Sequence, residues 1–210
     1  MLAREMRAAM PEDAERLAEV LVRAFSTDPF HTWLFPDPST RRRRQRKLFE
    51  RVLSLYLRNG KVFTTADVAG AALWDPPRET SPSFGELLEF AVRVLPVFGA
   101  RAGRIARGMK PMVGMHPTSP HWYLSILGTD PRQQKSGVGR SLLLPILRRC
   151  DREGLLAYLE ASRIENVPYY ERFGFEVVAP LTMPEGPTIY RMERRPRPVP
   201  MRDDASTAMS

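Results

Sequence analysis

The chain has little cysteine and little histidine. Among its 210 residues are one cysteine, Cys150, and three histidines. A single cysteine cannot form an intrachain disulfide, so a reducing cytoplasm is the expected compartment. Cys150 follows leucines at helical spacing, which predicts a core thiol rather than a nucleophile. His31, His116 and His121 are too scattered along the chain to predict a metal site, and we interpret each as a surface or capping group.

Long apolar runs are also missing. The most apolar of the later segments, residues 87–100, is interrupted by Glu89, Arg93 and Pro96, so it is not expected to span a bilayer. The first seven residues lack the apolar core of a signal peptide. No membrane partner is therefore expected.

The charge of the chain is unbalanced but dispersed. The formal net charge is +8, with the positive residues spread over 41–47, 101–110 and the segment from Arg191 onward. No aromatic-rich RNA-binding pattern lies between these clusters, so nucleic acid is not the expected partner. A polyanionic small-molecule ligand also needs positive potential at its binding site, so the net positive charge fits such a ligand as well as nucleic acid. Length and a 43% hydrophobic content predict one domain over residues 1–194, followed by a disordered Pro/Arg-rich tail over 195–210.

Hydrophobic periodicity predicts alternating helices and strands. Helices are expected after Pro11 and through residues 41–57, and strands over 62–65 and 68–74. Between the two helices, residues 26–38 combine three prolines with aromatic side chains. We interpret them as a loop that either packs on the core or lines a ligand cleft. Residues 79–120 predict an insertion with helices over 84–95 and 98–109 and a loop over 110–120.

The chain is organised around residues 124–144, which predict a strand, a polar loop and a helix. Gln134, Gly137 and Gly139 give the loop the form Q-x-x-G-x-G. Glycine leaves the main chain accessible, and the first N–H groups of a helix favour an anion such as pyrophosphate. The spacing is not that of a Rossmann loop, because Leu142 occupies the place of the third glycine, and no Walker Gly-Lys-Ser/Thr is present. On spacing alone, a phosphate loop and an ordinary glycine turn both remain open.

A second stretch, residues 166–175, reads Asn-Val-Pro-Tyr-Tyr-Glu-Arg-Phe-Gly-Phe and follows a predicted buried strand over 155–160. Together the two stretches resemble the GNAT superfamily of acetyl-CoA-dependent N-acetyltransferases. Residues 121–193 look especially like its puromycin N-acetyltransferase branch. The resemblance implies an α/β (α+β) fold with a central mixed, mostly antiparallel sheet of about six to seven strands. It also implies that the sheet splays after the fourth strand, that helices flank it, and that a helical insertion precedes that strand.

The resemblance also implies a cofactor site for acetyl-CoA. The glycine loop would hold the pyrophosphate, and the fourth strand would pair with the pantetheine amides. The implied cofactor-binding residues are Leu127, Gly128, Thr129, Gln134, Lys135, Ser136, Gly137, Val138, Gly139, Arg140 and Asn166. No metal is expected.

Two residues are candidates for the chemistry. A phenol stays protonated at neutral pH and can donate a proton to a departing thiolate, and the family pattern selects Tyr170 over Tyr169 for this role. Glu160 ends an apolar strand, where a carboxylate can orient an ammonium group or accept its proton. A solvated glutamate at a strand end remains the alternative. The candidate substrate-binding residues are Phe30, Trp33, Trp74, Tyr123 and Glu160.

The expected function is N-acetylation of a primary amine of a small molecule, such as an aminonucleoside or another antibiotic-like amine. We interpret the insertion as a cap over the acceptor. Acetylation of protein or peptide amines is the first alternative. A non-catalytic CoA-binding protein and a basic nucleic-acid-binding protein are alternatives of another class. A monomer and a homodimer both remain open.

Overall fold

The computed structural model of the protein describes residues 5–78 and 84–198. The strands in these ranges are β1 (Met6–Ala8), β2 (Val62–Thr65), β3 (Gly70–Asp75), β4 (His121–Thr129), β5 (Leu156–Ala161), β6 (Glu176–Thr182) and β7 (Thr188–Arg194). The α-helices are α1 (Ala14–Ala24), α2 (Pro29–Leu34), α3 (Pro38–Leu57), α4 (Phe84–Val94), α5 (Ala102–Val113), α6 (Val138–Glu153) and α7 (Val167–Glu171). Of the described helices, none combines the length and the hydropathy that a bilayer span requires.

The strands form one sheet in the order β1-β2-β3-β4-β5-β7-β6. Neighbouring strands are antiparallel at every junction except that of β4 and β5, which run parallel. The predicted mixed, mostly antiparallel sheet with flanking helices is therefore confirmed.

β4 and β5 separate before either strand ends. Their pairing stops at Leu124 and Leu159, whereas β4 continues to Thr129 and stays paired with β3. Beyond Leu124, the edge of β4 that faces β5 therefore carries backbone N–H and C=O groups without a strand partner in the described ranges. The predicted splaying after the fourth strand is confirmed.

Two hydrophobic cores lie on opposite faces of the sheet. Side chains alternate along β3. Leu73 therefore packs with Phe49 of α3 in what we call the first core, while Trp74 packs with Leu142 of α6 in the second core. Cys150 of α6 belongs to the second core and is fully buried, and burial raises the pKa of its thiol to about 12. The prediction of a core thiol is confirmed.

The prolines of residues 26–38 begin helices as well as ending one. The Asp28 carboxylate accepts the His31 backbone N–H at 3.1 Å, and Pro29 occupies the first turn of α2. The expectation of a loop is therefore wrong for Pro29–Leu34, because an Asp-Pro pair is a helix start as much as a chain break.

The insertion is more helical than expected. A 3₁₀ segment, Leu95–Arg101, joins α4 to α5, and α5 runs through Pro111 to Val113. The predicted loop over 110–120 is therefore wrong in its first residues. A proline in the last turn removes one backbone hydrogen bond, and the packing of Ile105 and Met109 on the first core holds the preceding turns.

The predicted tail begins on the surface of the domain. The Arg197 backbone N–H donates to the Asp151 carboxylate at 2.7 Å, and the same carboxylate pairs with Arg194 at 2.8 Å. The remainder of the predicted tail, residues 199–210, and residues 79–83 of the insertion lie outside the described residues.

His31 makes the first core sensitive to acid. Its ring lies 4.8 Å from that of Phe25 and 5.1 Å from that of Phe49, and burial lowers the imidazole pKa from 6.5 to about 4. The nearby Asp28 carboxylate opposes this shift only in part. An imidazole with a depressed pKa in the folded state stabilises the fold above its unfolded pKa, and this contribution is lost as the pH falls toward 4.

We predict that His31→Phe removes part of this acid sensitivity. Between about pH 7 and pH 4, the free energy of unfolding should fall by roughly 2 to 3 kcal/mol less in the variant than in the wild type. Denaturant titrations at the two pH values measure the difference. Equal losses in both proteins would show that His31 does not remain neutral in the fold.

Candidate functional site

The connection between β4 and α6 has the backbone of an anion-binding loop. Lys135 and Gly137 adopt positive φ angles of 61° and 89°, and α6 begins directly after Gly137. The Ser141 N–H donates to the Gly137 carbonyl at 3.0 Å, so the amides of Val138, Gly139 and Arg140 precede the helical hydrogen bonds. A Cβ built on Gly137 meets nothing within 4 Å, so open space adjoins these amides. Phosphate oxygens fit this arrangement of donors at the positive end of α6.

Not every predicted loop residue offers its side chain to a ligand. Val138 is 1% exposed, and its Cγ1 packs toward Gly70, so its side chain belongs to the second core and does not face a ligand. The Ser136 hydroxyl donates to the Gln133 carbonyl at 2.5 Å and closes the turn. These two side chains are therefore engaged within the protein.

Tyr169 and Tyr170 of α7 face different parts of the site. The Tyr169 hydroxyl lies against Gly139, where a Cβ would collide with it, and this buried hydroxyl has no hydrogen-bond partner among the described residues. The Tyr170 ring lies 5.3 Å from that of Tyr169, but Tyr170 lines a cavity that Tyr169 does not reach. Adjacent helical residues project about 100° apart, which explains the division. Burial raises the pKa of the Tyr170 hydroxyl, the neighbouring Tyr169 and Asp28 raise it further, and the phenol is therefore protonated at neutral pH.

A cavity of about 390 Å³ opens where β4 leaves β5. Splayed β4 contributes Ser125 and Leu127 to its wall, and Ser125 is the bulge residue between the pairs Leu73–Ile126 and Trp74–Leu124. The insertion supplies an apolar wall of Phe90, Val94, Phe98, Ile105, Met109 and Met112. Polar groups at the cavity include Asp28, His31, Tyr123, Glu160, Ser162, Asn166 and Tyr170.

Glu160 is buried in this cavity rather than solvated at a strand end. Its side chain is 8% exposed, and its carboxylate accepts hydrogen bonds from Tyr123 at 2.7 Å and Tyr158 at 2.9 Å. Desolvation raises the pKa of the carboxyl group, while the two tyrosine hydrogen bonds oppose the shift. A carboxylate with a raised pKa is a stronger proton acceptor than a solvated glutamate.

The structure brings six of the predicted site residues together in one cavity. Phe30, Tyr123, Leu127, Glu160, Asn166 and Tyr170 all line the cavity. Asn166 stands at the N-terminus of α7, and its side chain makes no capping hydrogen bond.

Two predicted substrate contacts are not in the cavity. Trp74 is fully buried in the second core beneath α6, with its indole Nε1 3.4 Å from the Leu142 carbonyl oxygen, so its assignment as a substrate-binding residue is wrong. The alternation of β3 turns this side chain to the opposite face of the sheet. Trp33 packs against Gly108 of α5 and Gly186 of the β6–β7 turn, so it joins the insertion to the sheet instead of lining the cavity.

The interpretation of each histidine as a surface or capping group is wrong for His31. His31 is 7% exposed, and its ring contacts those of Phe25 and Phe49 in the first core. The rings of His116 and His121 lie 5.8 Å apart, and His116 Nε2 lies 3.4 Å from Glu160 Oε1. Within the described part of the chain, no group of three His, Cys, Asp or Glu side chains is arranged to hold a metal ion.

Sequence reasoning missed Asp28, His116 and Tyr158. Tyr158 stands two residues before Glu160 on β5, so strand alternation was a signal that both side chains share one face. The residue type of Asp28 indicated a helix cap, but no local pattern in the sequence indicated that Asp28 lies in the cavity. Its carboxylate also accepts a hydrogen bond from Ser162 there. No local pattern in the sequence indicated that His116 lies beside Glu160.

Comparisons with known proteins place the same region in one family. A family model described as Acetyltransferase (GNAT) domain matches residues 101–196. An uncharacterized N-acetyltransferase of Schizosaccharomyces pombe is 30% identical over 175 residues, which cover 78% of this chain and 71% of the relative.

Solved structures share the fold over nearly the whole chain. A Corynebacterium glutamicum structure, described as histone acetyltransferase HPA2 and related acetyltransferase, is 26% identical with a TM-score of 0.72. The match covers 95% of this chain and 99% of that one. The PaiA N-acetyltransferase of Thermoplasma acidophilum, solved in complex with coenzyme A, is 14% identical with a TM-score of 0.56, covering 92% and 99%. At that identity the likeness concerns the fold alone.

Proposed function

Because this chain belongs to the GNAT acetyltransferase family, we propose that it moves the acetyl group of acetyl-CoA to the primary amine of a small molecule. The amine would attack the thioester directly in a ternary complex. The observation that carries this proposal is the cavity at the parting of β4 and β5, where Glu160 and Tyr170 face the same space under the insertion.

The residues of the chain fit acetyl-CoA. The amides of Val138, Gly139 and Arg140 suit its pyrophosphate, and the unpaired Tyr169 hydroxyl beside Gly139 can add a hydrogen bond. The free edge of β4 beyond Leu124 can pair with the pantetheine amides and direct an N–H at the thioester carbonyl. Bound acetyl-CoA supplies an activated acetyl thioester.

Glu160 is suited to the amine. A primary amine must lose a proton before it can attack, and a buried carboxylate with a raised pKa can orient the ammonium group and accept that proton. Tyr123 and Tyr158 hold the carboxylate by hydrogen bonds to its two oxygens, which fixes its orientation. We assign Glu160 the role of general base.

Tyr170 is suited to the leaving group. Its raised pKa keeps the hydroxyl protonated at neutral pH, so it can donate a proton as the thiolate departs. We assign Tyr170 the role of general acid.

The lining of the cavity favours an acceptor with an apolar or aromatic body. A volume of about 390 Å³ is in the range of small-molecule sites, and most of its walls are Phe, Leu, Val, Ile and Met side chains. An aminonucleoside such as puromycin combines a primary amine with an aromatic group. An acceptor lysine of a protein, the case that the Corynebacterium structure's description suggests, requires an open surface groove, and here the insertion lies over the cavity.

An acetyl-CoA consumption screen tests the acceptor class. We expect turnover with apolar primary amines, including puromycin and arylalkylamines, and little turnover with alkyl diamines or lysine peptides. CoA release without an amine must be subtracted. Preferential acetylation of the peptides would favour the alternative of a protein acetyltransferase, and CoA binding without any turnover would favour a non-catalytic protein.

Substitution of Gly137 tests the loop. Gly137 and Gly154 stand at the two ends of α6 with positive φ angles and open space around each, so Gly154→Ala is a matched control for backbone strain. Both substitutions should cost about 1 kcal/mol of stability. Only Gly137→Ala should weaken CoA binding, by about tenfold or more, which is about 1.4 kcal/mol. Calorimetry measures the CoA affinity of both folded variants. Equal affinities would show that the loop does not bind the cofactor.

The two tyrosines of α7 should have separable kinetic effects. Tyr170→Phe removes the proton donor, so kcat should fall by about 10²- to 10⁴-fold with a small change in the KM for acetyl-CoA. Tyr169→Phe removes a hydroxyl beside the phosphate loop, so it should raise that KM and leave kcat near the wild-type value. Steady-state kinetics of both variants measure the contrast, and the reverse pattern would exchange the two roles.

A further inference from the structure

Glu160 has a third polar neighbour besides its two tyrosines. His116 lies on the segment between α5 and β4, and its Nε2 is 3.4 Å from Glu160 Oε1. The His116 side chain is 32% exposed, against 8% for Glu160. The histidine therefore connects a buried carboxylate with solvent.

The two tyrosines cannot accept a proton from Glu160 at neutral pH. Tyr123 and Tyr158 already donate to the carboxylate, and burial raises the pKa of both hydroxyls. Among the described side chains that contact Glu160, an imidazole is the group that both accepts and releases protons near neutral pH.

The segment that carries His116 is attached to the sheet. Arg191 of β7 donates to the Met115 carbonyl at 2.5 Å, and its Nε lies 3.4 Å from the Tyr158 hydroxyl. The His116 ring also packs edge-on against Tyr123, at a centroid distance of 4.6 Å. These contacts hold the imidazole against the carboxylate.

We propose that His116 carries the proton of the acceptor amine from Glu160 to solvent in each catalytic cycle. This role rests on the proposed function of Glu160 as the general base. His116 does not touch the acceptor, so it is a positioning and relay residue of the acetyl-transfer site.

The proton balance of the reaction requires such a path. An ammonium group, RNH₃⁺, and acetyl-CoA give the amide, CoA thiol and one proton. The ammonium loses its first proton to Glu160. Tyr170 supplies one proton to the departing thiolate, and the second proton of the attacking nitrogen restores the Tyr170 hydroxyl. The proton on Glu160 must leave before the next turnover. It passes to His116 Nε2, and the partly exposed imidazolium releases a proton to water. Proton exchange with water then restores the Nδ1–H tautomer, whose Nε2 can accept again.

The surroundings of His116 lower its pKa on balance, which favours the neutral imidazole that must accept this proton. Burial lowers the pKa of His116, the adjacent His121 of β4 and Arg191 of β7 lower it further, and Asp75 of β3 opposes them. The Glu160 carboxylate of β5 faces Nε2 directly. At neutral pH the ring is therefore available as an acceptor.

The kinetic test compares His116→Gln with His121→Gln. His121 belongs to the same ring cluster, but its Nδ1 lies 2.8 Å from the Ser119 carbonyl oxygen rather than beside Glu160. We expect His116→Gln to lower kcat by about 10- to 100-fold with an unchanged KM for acetyl-CoA, and His121→Gln to change kcat less than about twofold. Added imidazole should restore kcat of His116→Gln in a saturable manner and leave His121→Gln unaffected. Equal losses in both variants, or no rescue, would overturn the relay.

A second measurement is independent of turnover. In NMR titrations of the folded protein without acetyl-CoA, Glu160→Gln should lower the pKa of His116, because it removes a carboxylate that favours the imidazolium. An unchanged His116 pKa would refute the contact even if acetyl transfer is observed. An altered pKa in a protein that acetylates no amine would refute the proposed function while leaving the coupling between the two side chains in place.

Discussion

The site depends on the parting of β4 from β5, the one parallel pair among the described strands. Pairing with β3 continues along the other edge of β4, so the strand stays in the sheet while its free edge faces a gap. Gly128 makes this arrangement compatible with α1, because a Cβ there would meet Leu21 and Phe25. On the far side of the gap, Ser162 donates to Asp28 and ties the end of β5 to the start of α2. These contacts flank the gap on both sides, and the β4–α6 loop, which we propose as the pyrophosphate site, follows directly from the strand that borders it.

Burial tunes the two candidate catalytic groups by the same physical cause. Desolvation disfavours the charged form of any acid, so it raises the pKa of both Glu160 and Tyr170. For the carboxylate this means a stronger base, and for the phenol it means a donor that stays protonated. The insertion contributes to this effect because its apolar side chains line the same cavity. It therefore has a part in the chemistry as well as in the shape of the acceptor site.

Local signals in the sequence predicted the parts of the site that depend on local geometry. Gly137 was predicted from the Q-x-x-G-x-G spacing and Tyr170 from its family motif, and the structure gives Gly137 the positive φ that glycine permits. Trp74 was misplaced because an apolar strand buried on both faces does not reveal which face a residue takes. His116 was missed because its contact with Glu160 joins distant segments, and only the packing of the insertion on the sheet brings them together. Tertiary placement, rather than residue type, was the missing information.

The position of His116 connects these arguments. A cavity dry enough to raise the pKa of Glu160 also separates the carboxylate from the water that must remove its proton. Greater burial makes the base stronger and its regeneration slower, unless a titratable group bridges the carboxylate and the surface. His116 belongs to the segment that closes the insertion, so the element that excludes water from the acceptor site also supplies the proton exit. Variation in this segment among related enzymes should therefore change the shape of the acceptor site and the rate of proton release together.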